Sequence, residues 1–399
     1  HLTALDEPEA ASDILWALFR AYPDKRATLA ALEDFYRRNQ NSREFADRMA
    51  AILAEGHTRI ANDLASKLWK YVGEVNHAVL QRPAEAEDAF RRARSLGDQS
   101  ADVVLRLAKS IANQPGRVRD AVPLLVDALR TDDGDLRLWD EAFQHLELLF
   151  DEMQMHGRLR VARQVRATLG ASVELFDDQV RRDPTRDIPP GTAWSLLASG
   201  LLSERQIEVM VGCAPLAEKV LGKRDPSRRA LKGRKLRREE NLAFDTFLDN
   251  ACRWLGVERP KVLVGEGGRG AVAVDAGTYW VPAERIGDND PARARFWAGY
   301  VAGMVFADFA PYTWTDDATI HAFFRAVTAR AGRGAGTSPF DDDLGSLLLA
   351  TQRRQAVQAV ESHMAVANEP FAWSAAAQRF CDRAALVSCG DVRTAVEEL

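Results

Sequence analysis

Apolar residues recur at three- and four-residue steps from the start of the chain to about residue 180, the spacing that lines one face of an α-helix. Ile14, Leu15, Leu18 and Phe19 run up to Pro23, and Leu29, Leu32, Phe35 and Tyr36 run up to Asn39-Gln40-Asn41. Pro, Gly and Asp punctuate the runs, so this half is expected to be wholly helical. Past residue 240 the pattern mixes. A helix is predicted from Asn241 to Gly256, with Leu242, Phe244, Phe247, Leu248, Ala251 and Leu255 inward and Gly256 as its stop. Three short β-like runs follow, Val262 to Val264, Ala271 to Val274 and Tyr279 to Val281. Helical periodicity returns around Tyr300, from Asp316 to Arg330, and from Leu344 to Val366, where Asp341, Asp342 and Asp343 suit a helix start. Arg333 to Pro339 is expected to be a loop.

Within the helical half, Ala86, Phe90 and Ala93 repeat as Ala121, Leu125 and Ala128, a displacement of 35 residues. Trp69, Val72 and Gly73 precede the first triplet, and Trp139 and Phe143 lead through Leu159 and Ala162 to Leu169 at looser spacing. The period and the alternation of small and large residues resemble the tetratricopeptide repeat, in which small residues let the two helices of a hairpin cross closely. The resemblance implies an α-solenoid over residues 1–180 whose concave face binds another protein or a peptide.

Residues 181–240 change texture, first through Asp183-Pro184 and Pro189-Pro190-Gly191, then into a basic run, and are expected to be a helical linker. Nine of the sixteen residues from Lys223 to Arg238 are Lys or Arg, among them Arg228, Arg229, Lys232, Arg234 and Lys235. So dense a run could neutralise phosphates or an acidic partner. It has no interleaved aromatic for base stacking and is followed by Glu239 and Glu240, which favours a solvated helix or linker over nucleic-acid contact.

The segment from Arg295 to Met304 has the frame of a zincin helix without its chemistry. In H-E-x-x-H two His one turn apart bind zinc and the intervening Glu acts as general base. Here Gly299 and Gly303 match the small residues of a G-H-E-x-G-H version, while Tyr300, Val301 and Met304 stand where His, Glu and His belong. Near the C-terminus Asp382 and Arg383 match an Ala-Asp-Arg step that follows a zinc-binding Glu in the gluzincins related to the heat-shock and CAAX-processing metalloproteases. Gln378 occupies the position of that Glu. Residues 241–399 therefore resemble a degenerate gluzincin-like domain of the kind that follows tetratricopeptide-like arrays in large bacterial proteins. The resemblance implies an α+β zincin-like fold with a small sheet and no catalytic residue.

Composition adds exclusions. A net charge of −5 over 399 residues argues against a chain built as a whole for nucleic acid or an anionic membrane. No apolar run approaches the ~20 residues that cross a bilayer. Cys213, Cys252, Cys381 and Cys389 form no C-x-x-C pair, so a reducing, cytoplasmic setting is expected. The first residue is His rather than Met, which suggests a fragment of a longer chain. Gly265 to Gly270 runs from strand to strand, unlike a phosphate loop. Glu361 and His363 point away from one another on a helix, and no nucleophile elbow is present. The sequence thus predicts a mainly α protein, a helical repeat joined to a catalytically inactive domain, with no cofactor and no membrane partner. The alternatives are a metal-dependent hydrolase with a site rebuilt from His321, His363 and one of Asp308, Glu361 or Asp382, and a polyanion-binding module on the basic run.

Overall fold

A computed structural model of the chain describes residues 8–55, 60–130, 135–173, 185, 188–189, 191–222, 231–237, 241–267, 270–275, 277–287, 290–329, 339–340, 344, 350–368 and 370–399. Arg228, Arg229, the 333–338 loop and Asp341 to Asp343 lie outside the described residues. The chain divides into two compact units, 1–175 and 176–399. Among the described residues are eighteen α-helices and one four-stranded sheet.

Among the described residues the first unit is built of helices alone: α1 (Pro8–Ala21), α2 (Arg26–Arg38), α3 (Ser42–Ala54), α4 (Asn62–Glu74), α5 (Pro83–Ser95), α6 (Ala101–Ala112), α7 (Val118–Arg130), α8 (Leu136–Glu152) and α9 (His156–Thr168). Each helix packs chiefly on the next in sequence, the one-dimensional contact pattern of a solenoid. The 35-residue repeat falls on α5 and α7, where Ala86, Phe90, Ala93, Ala121, Leu125 and Ala128 are all fully buried. A Cβ on Gly73 of α4 would sit 2.6 Å from Phe90 Cε1, so the glycine admits the large residue of the helix that follows. A π-helical turn, Val75–Val79, extends α4. Ile14 and Leu18 are 50% and 42% exposed, because at 100° per residue they lie on the face of α1 opposite the buried Ser12, Trp16 and Phe19.

The second unit begins with α10 (Ala193–Ala198) and α11 (Glu204–Leu221), followed by β1 (Arg234–Lys235), α12 (Leu242–Leu255), β2 (Lys261–Gly265), β3 (Val272–Asp275) and β4 (Thr278–Pro282). It continues with α13 (Pro291–Ala307), α14 (Asp317–Thr328), α15 (Ala350–Ser362), α16 (Met364–Asn368), α17 (Trp373–Cys389) and α18 (Val392–Glu398). The region expected to be a linker contributes α10 and α11 to this unit's core. Val209, Met210, Cys213 and Ala217 are buried there, and Tyr312 Oη donates to Met210 O at 2.9 Å. The apolar face of α11, capped by a Ser203–Gln206 capping box, outweighs the flanking Pro and basic punctuation. The run expected as one helix from Leu344 to Val366 is broken at His363, between α15 and α16. Leu242 is 59% exposed rather than inward, because it sits at the first position of α12.

The sheet order is β1-β2-β4-β3, with β2 and β4 parallel and both outer strands antiparallel to their neighbours. Trp280 of β4 is fully buried and lies against Gly233 and Gly265. A Cβ on Gly265 would stand 2.5 Å from Trp280 Nε1. The indole therefore fixes how β1 and β2 approach. None of the described helices is long and apolar enough to cross a membrane.

Candidate functional site

Helix α13 carries Gly299, Tyr300, Val301, Gly303 and Met304, the residues on which the zincin resemblance was drawn. Asp290 caps it by accepting from Arg293 N at 3.0 Å, Pro291 opens it, and Asp308 closes it at φ 52°. From Ala294 to Met304 it is buried around its whole circumference and apolar apart from Arg295, as such a helix must be. Gly299 and Gly303 face α17. A Cβ on Gly299 would lie 2.5 Å from Ser388 Cβ, and one on Gly303 would lie 2.8 Å from Ala384 Cβ. The two glycines thus work as a close helix crossing.

Tyr300 is 7% exposed, and Val301 and Met304 are completely buried. The Tyr300 ring lies 5.4 Å from that of Trp297. Burial, with Cys381 and Asp382 nearby on α17, pushes its phenol well above the usual range, so it stays protonated. None of the three positions holds a His or a carboxylate. Gln378 is exposed on α17, and its Nε2 donates to Thr313 O at 2.6 Å, tying the helix to the turn after α13. Arg383 Nη1 donates to Leu197 O at 3.0 Å and Ser199 O at 2.6 Å, which holds the end of α10. Asp382 is partly buried; desolvation pushes its carboxyl up to about 6, with Arg379 pulling the other way.

One feature of this region has no local signal in the sequence. Glu398 of α18, its side chain 1% exposed, accepts from Arg285 Nη1 at 2.6 Å, Arg293 Nε at 2.6 Å and Trp297 Nε1 at 2.7 Å. Its partners lie about a hundred residues upstream, and only folding brings them together. The last helix is thereby clamped to α13.

The two histidines from which a rebuilt metal site was conceivable are separately engaged. His321 Nε2 lies 3.1 Å from Phe371 O, and His363 Nε2 pairs with Glu208. Among the described residues no three of His, Cys, Asp or Glu gather as a metal-binding group. All four cysteines are buried; burial pushes Cys213, Cys252 and Cys389 up to about 12 and Cys381 well above its ordinary value. None of them is a thiolate nucleophile near neutrality.

Two polar surfaces stand out among the described residues. In the first unit an inter-helix ladder joins Lys70 to Asp102 at 2.5 Å, Glu74 to Arg106 at 3.4 Å and Lys109 to Glu141, along α4, α6 and α8. His77 Nδ1 lies 3.2 Å from Ser110 Oγ in the same strip. Burial, then Lys109 and His77, push His145 of α8 down to about 4, against the pull of Glu141. In the second unit the described part of the basic run is neither a helix nor a free linker. Arg234 and Lys235 form β1 and are exposed, as are Lys232 and Arg237. Pairing with β2 and the fit of Gly233 on Trp280 override the helix expected from composition. Compared with models of known protein families, with curated proteins and with solved structures, the chain matches none.

Proposed function

We propose that this chain is a non-catalytic protein-interaction or scaffolding module, an array of tetratricopeptide-like helices joined to an inactive gluzincin-like domain. The observation that carries the reading is α13. At the three positions where a zincin holds His, Glu and His, it places Tyr300, Val301 and Met304, each buried in the core. Gln378, where the third ligand belongs, is spent on Thr313 O. A helix, a small sheet and a buried central helix follow in the order that such a fold uses. In this reading the partner is another protein or a peptide, held on the polar strip of α4, α6 and α8, in the cytoplasm. Four buried, unbridged thiols accord with a reducing compartment.

The test is elemental analysis of purified chain, dialysed without chelator, alongside hydrolysis of unfolded casein. Less than a tenth of an equivalent of zinc and background hydrolysis are expected. Stoichiometric zinc with chelator-sensitive hydrolysis would overturn the reading and favour the metal-dependent hydrolase.

A further inference from the structure

We propose that the open edge of β1 is a docking edge for an acidic, extended segment of a partner protein, which joins the sheet as a fifth strand. In the described sheet β1 has β2 on one side and no strand on the other. Its register with β2 runs Arg234↔Val264 and Lys235↔Leu263, and Leu236 N donates to Val262 O at 2.9 Å. In an antiparallel ladder the backbone groups of successive residues alternate in direction. Since Leu236 bonds inward to β2, the amides and carbonyls of Gly233, Lys235 and Arg237 point to the open side. That edge is a template for main-chain pairing.

The side chains state which strand it accepts. Lys232, Arg234, Lys235 and Arg237, four cations within six residues, are all exposed. They belong to a run with nine cations and one Asp in sixteen residues, in a chain whose net charge is −5. One or two lysines suffice to keep an edge from self-pairing. The density here exceeds that need, and it attracts an acidic strand as strongly as it repels a basic one. A peptide is favoured over nucleic acid on two counts. The run from Lys223 to Arg238 holds no aromatic to stack a base, and a phosphate backbone has no amides to pair with an open edge. Trp280 Nε1, 3.3 Å from Lys232 O, anchors the strand in place before any partner arrives. This inference names a second surface and partner class for the protein-binding reading; it stands or falls independently of the strip on α4, α6 and α8.

The test uses the full chain and a fluorescent decapeptide of alternating Glu and Val, followed by anisotropy. Binding is expected to weaken at least tenfold when alternate peptide amides are N-methylated in the pairing register, and at least tenfold in Lys235→Glu/Arg237→Glu. Lys235→Pro, which removes an outward-facing N–H while sparing the Leu236 bond to β2, should weaken it several-fold more than Lys235→Ala. Thermal unfolding of each variant should match the parent, since these side chains are exposed. Oligothymidylate of equal charge should compete poorly. If the decapeptide fails to bind at 100 μM, the proposal is overturned. Equal binding of N-methylated peptide and oligothymidylate would also overturn it, and would make the run a polyanion strip.

Discussion

At Gly299 even a methyl group is too large, because its Cβ would meet Ala384 O at 2.7 Å as well as Ser388. Backbone cannot step aside as a side-chain tip can. Gly299→Ala and Gly303→Val are therefore expected to cost about 1–3 kcal/mol despite the better helix propensity of the new residues. Denaturant midpoints at fixed slope would show it, and an unchanged midpoint would mean that the helices have room to part. Asp382 gives the opposite sign. Its carboxyl is raised to about 6 in the folded chain, against 3.8 as reference, so the ionised form opposes folding at neutral pH. Asp382→Asn should stabilise by about 1–2 kcal/mol at pH 7.5, allowing for its partial exposure. The gain should shrink as pH falls through 6 and vanish near 3.8. A gain independent of pH would show that charge is not its source. These two positions also differ in legibility. The glycine pair is visible in the sequence as a four-residue step, whereas the burial of Asp382 depends on what α17 packs against.

At the scale of elements, single ion clusters join helices far apart in sequence. Glu87 of α5 receives Arg117 and Gln114 from the α6–α7 connection and Arg91 from its own helix. Burial alone would raise its carboxyl, but those hydrogen bonds bring it down to about 2. Glu87→Ala leaves Arg117 and Gln114 without their acceptor and is expected to cost about 2–4 kcal/mol, read from urea unfolding. A cost below ~0.5 kcal/mol would reduce the cluster to a surface ornament. Glu398→Gln tests the clamp on α18. With the charge gone from between Arg285 and Arg293, hydrogen exchange in Val392–Glu398 should accelerate at least tenfold and Trp297 emission should shift, while α1 to α9 stay unchanged. Slow exchange retained in that helix would show that apolar contacts such as Ala395 suffice. The repeat helices were legible because Ala86, Phe90 and Ala93 sit at helical spacing and recur. Strand β1 was not, because two exposed basic residues carry no strand pattern and take their conformation from β2 and Trp280.

For the whole molecule, acid should act on the two units in opposite senses. His145 is held near 4 in the folded first unit, so between pH 6.5 and 4 the unfolded chain takes up a proton that the native helix refuses, and stability falls. Lys109 and His77 oppose its charging and Glu141 favours it. In the second unit protonation of Asp382 relieves a cost over a similar interval. Exchange protection of α8 in the parent should drop relative to His145→Gln between pH 7 and 5, while that of α17 should rise relative to Asp382→Asn. Parallel changes in both units would refute the assignment. The sequence alone determined that the chain is mainly helical, where the repeat recurs, and that a small sheet precedes the helix of Tyr300. Those are matters of periodicity and side-chain chemistry, which are local. Tertiary structure alone decided that α10 and α11 belong to the second unit, that Arg234 and Lys235 of the basic run pair with β2 as an edge strand of the described sheet, and that Glu398 closes on α13. Each depends on contacts between residues some thirty to over a hundred positions apart, and a pattern read along the chain carries no record of what lies across the fold.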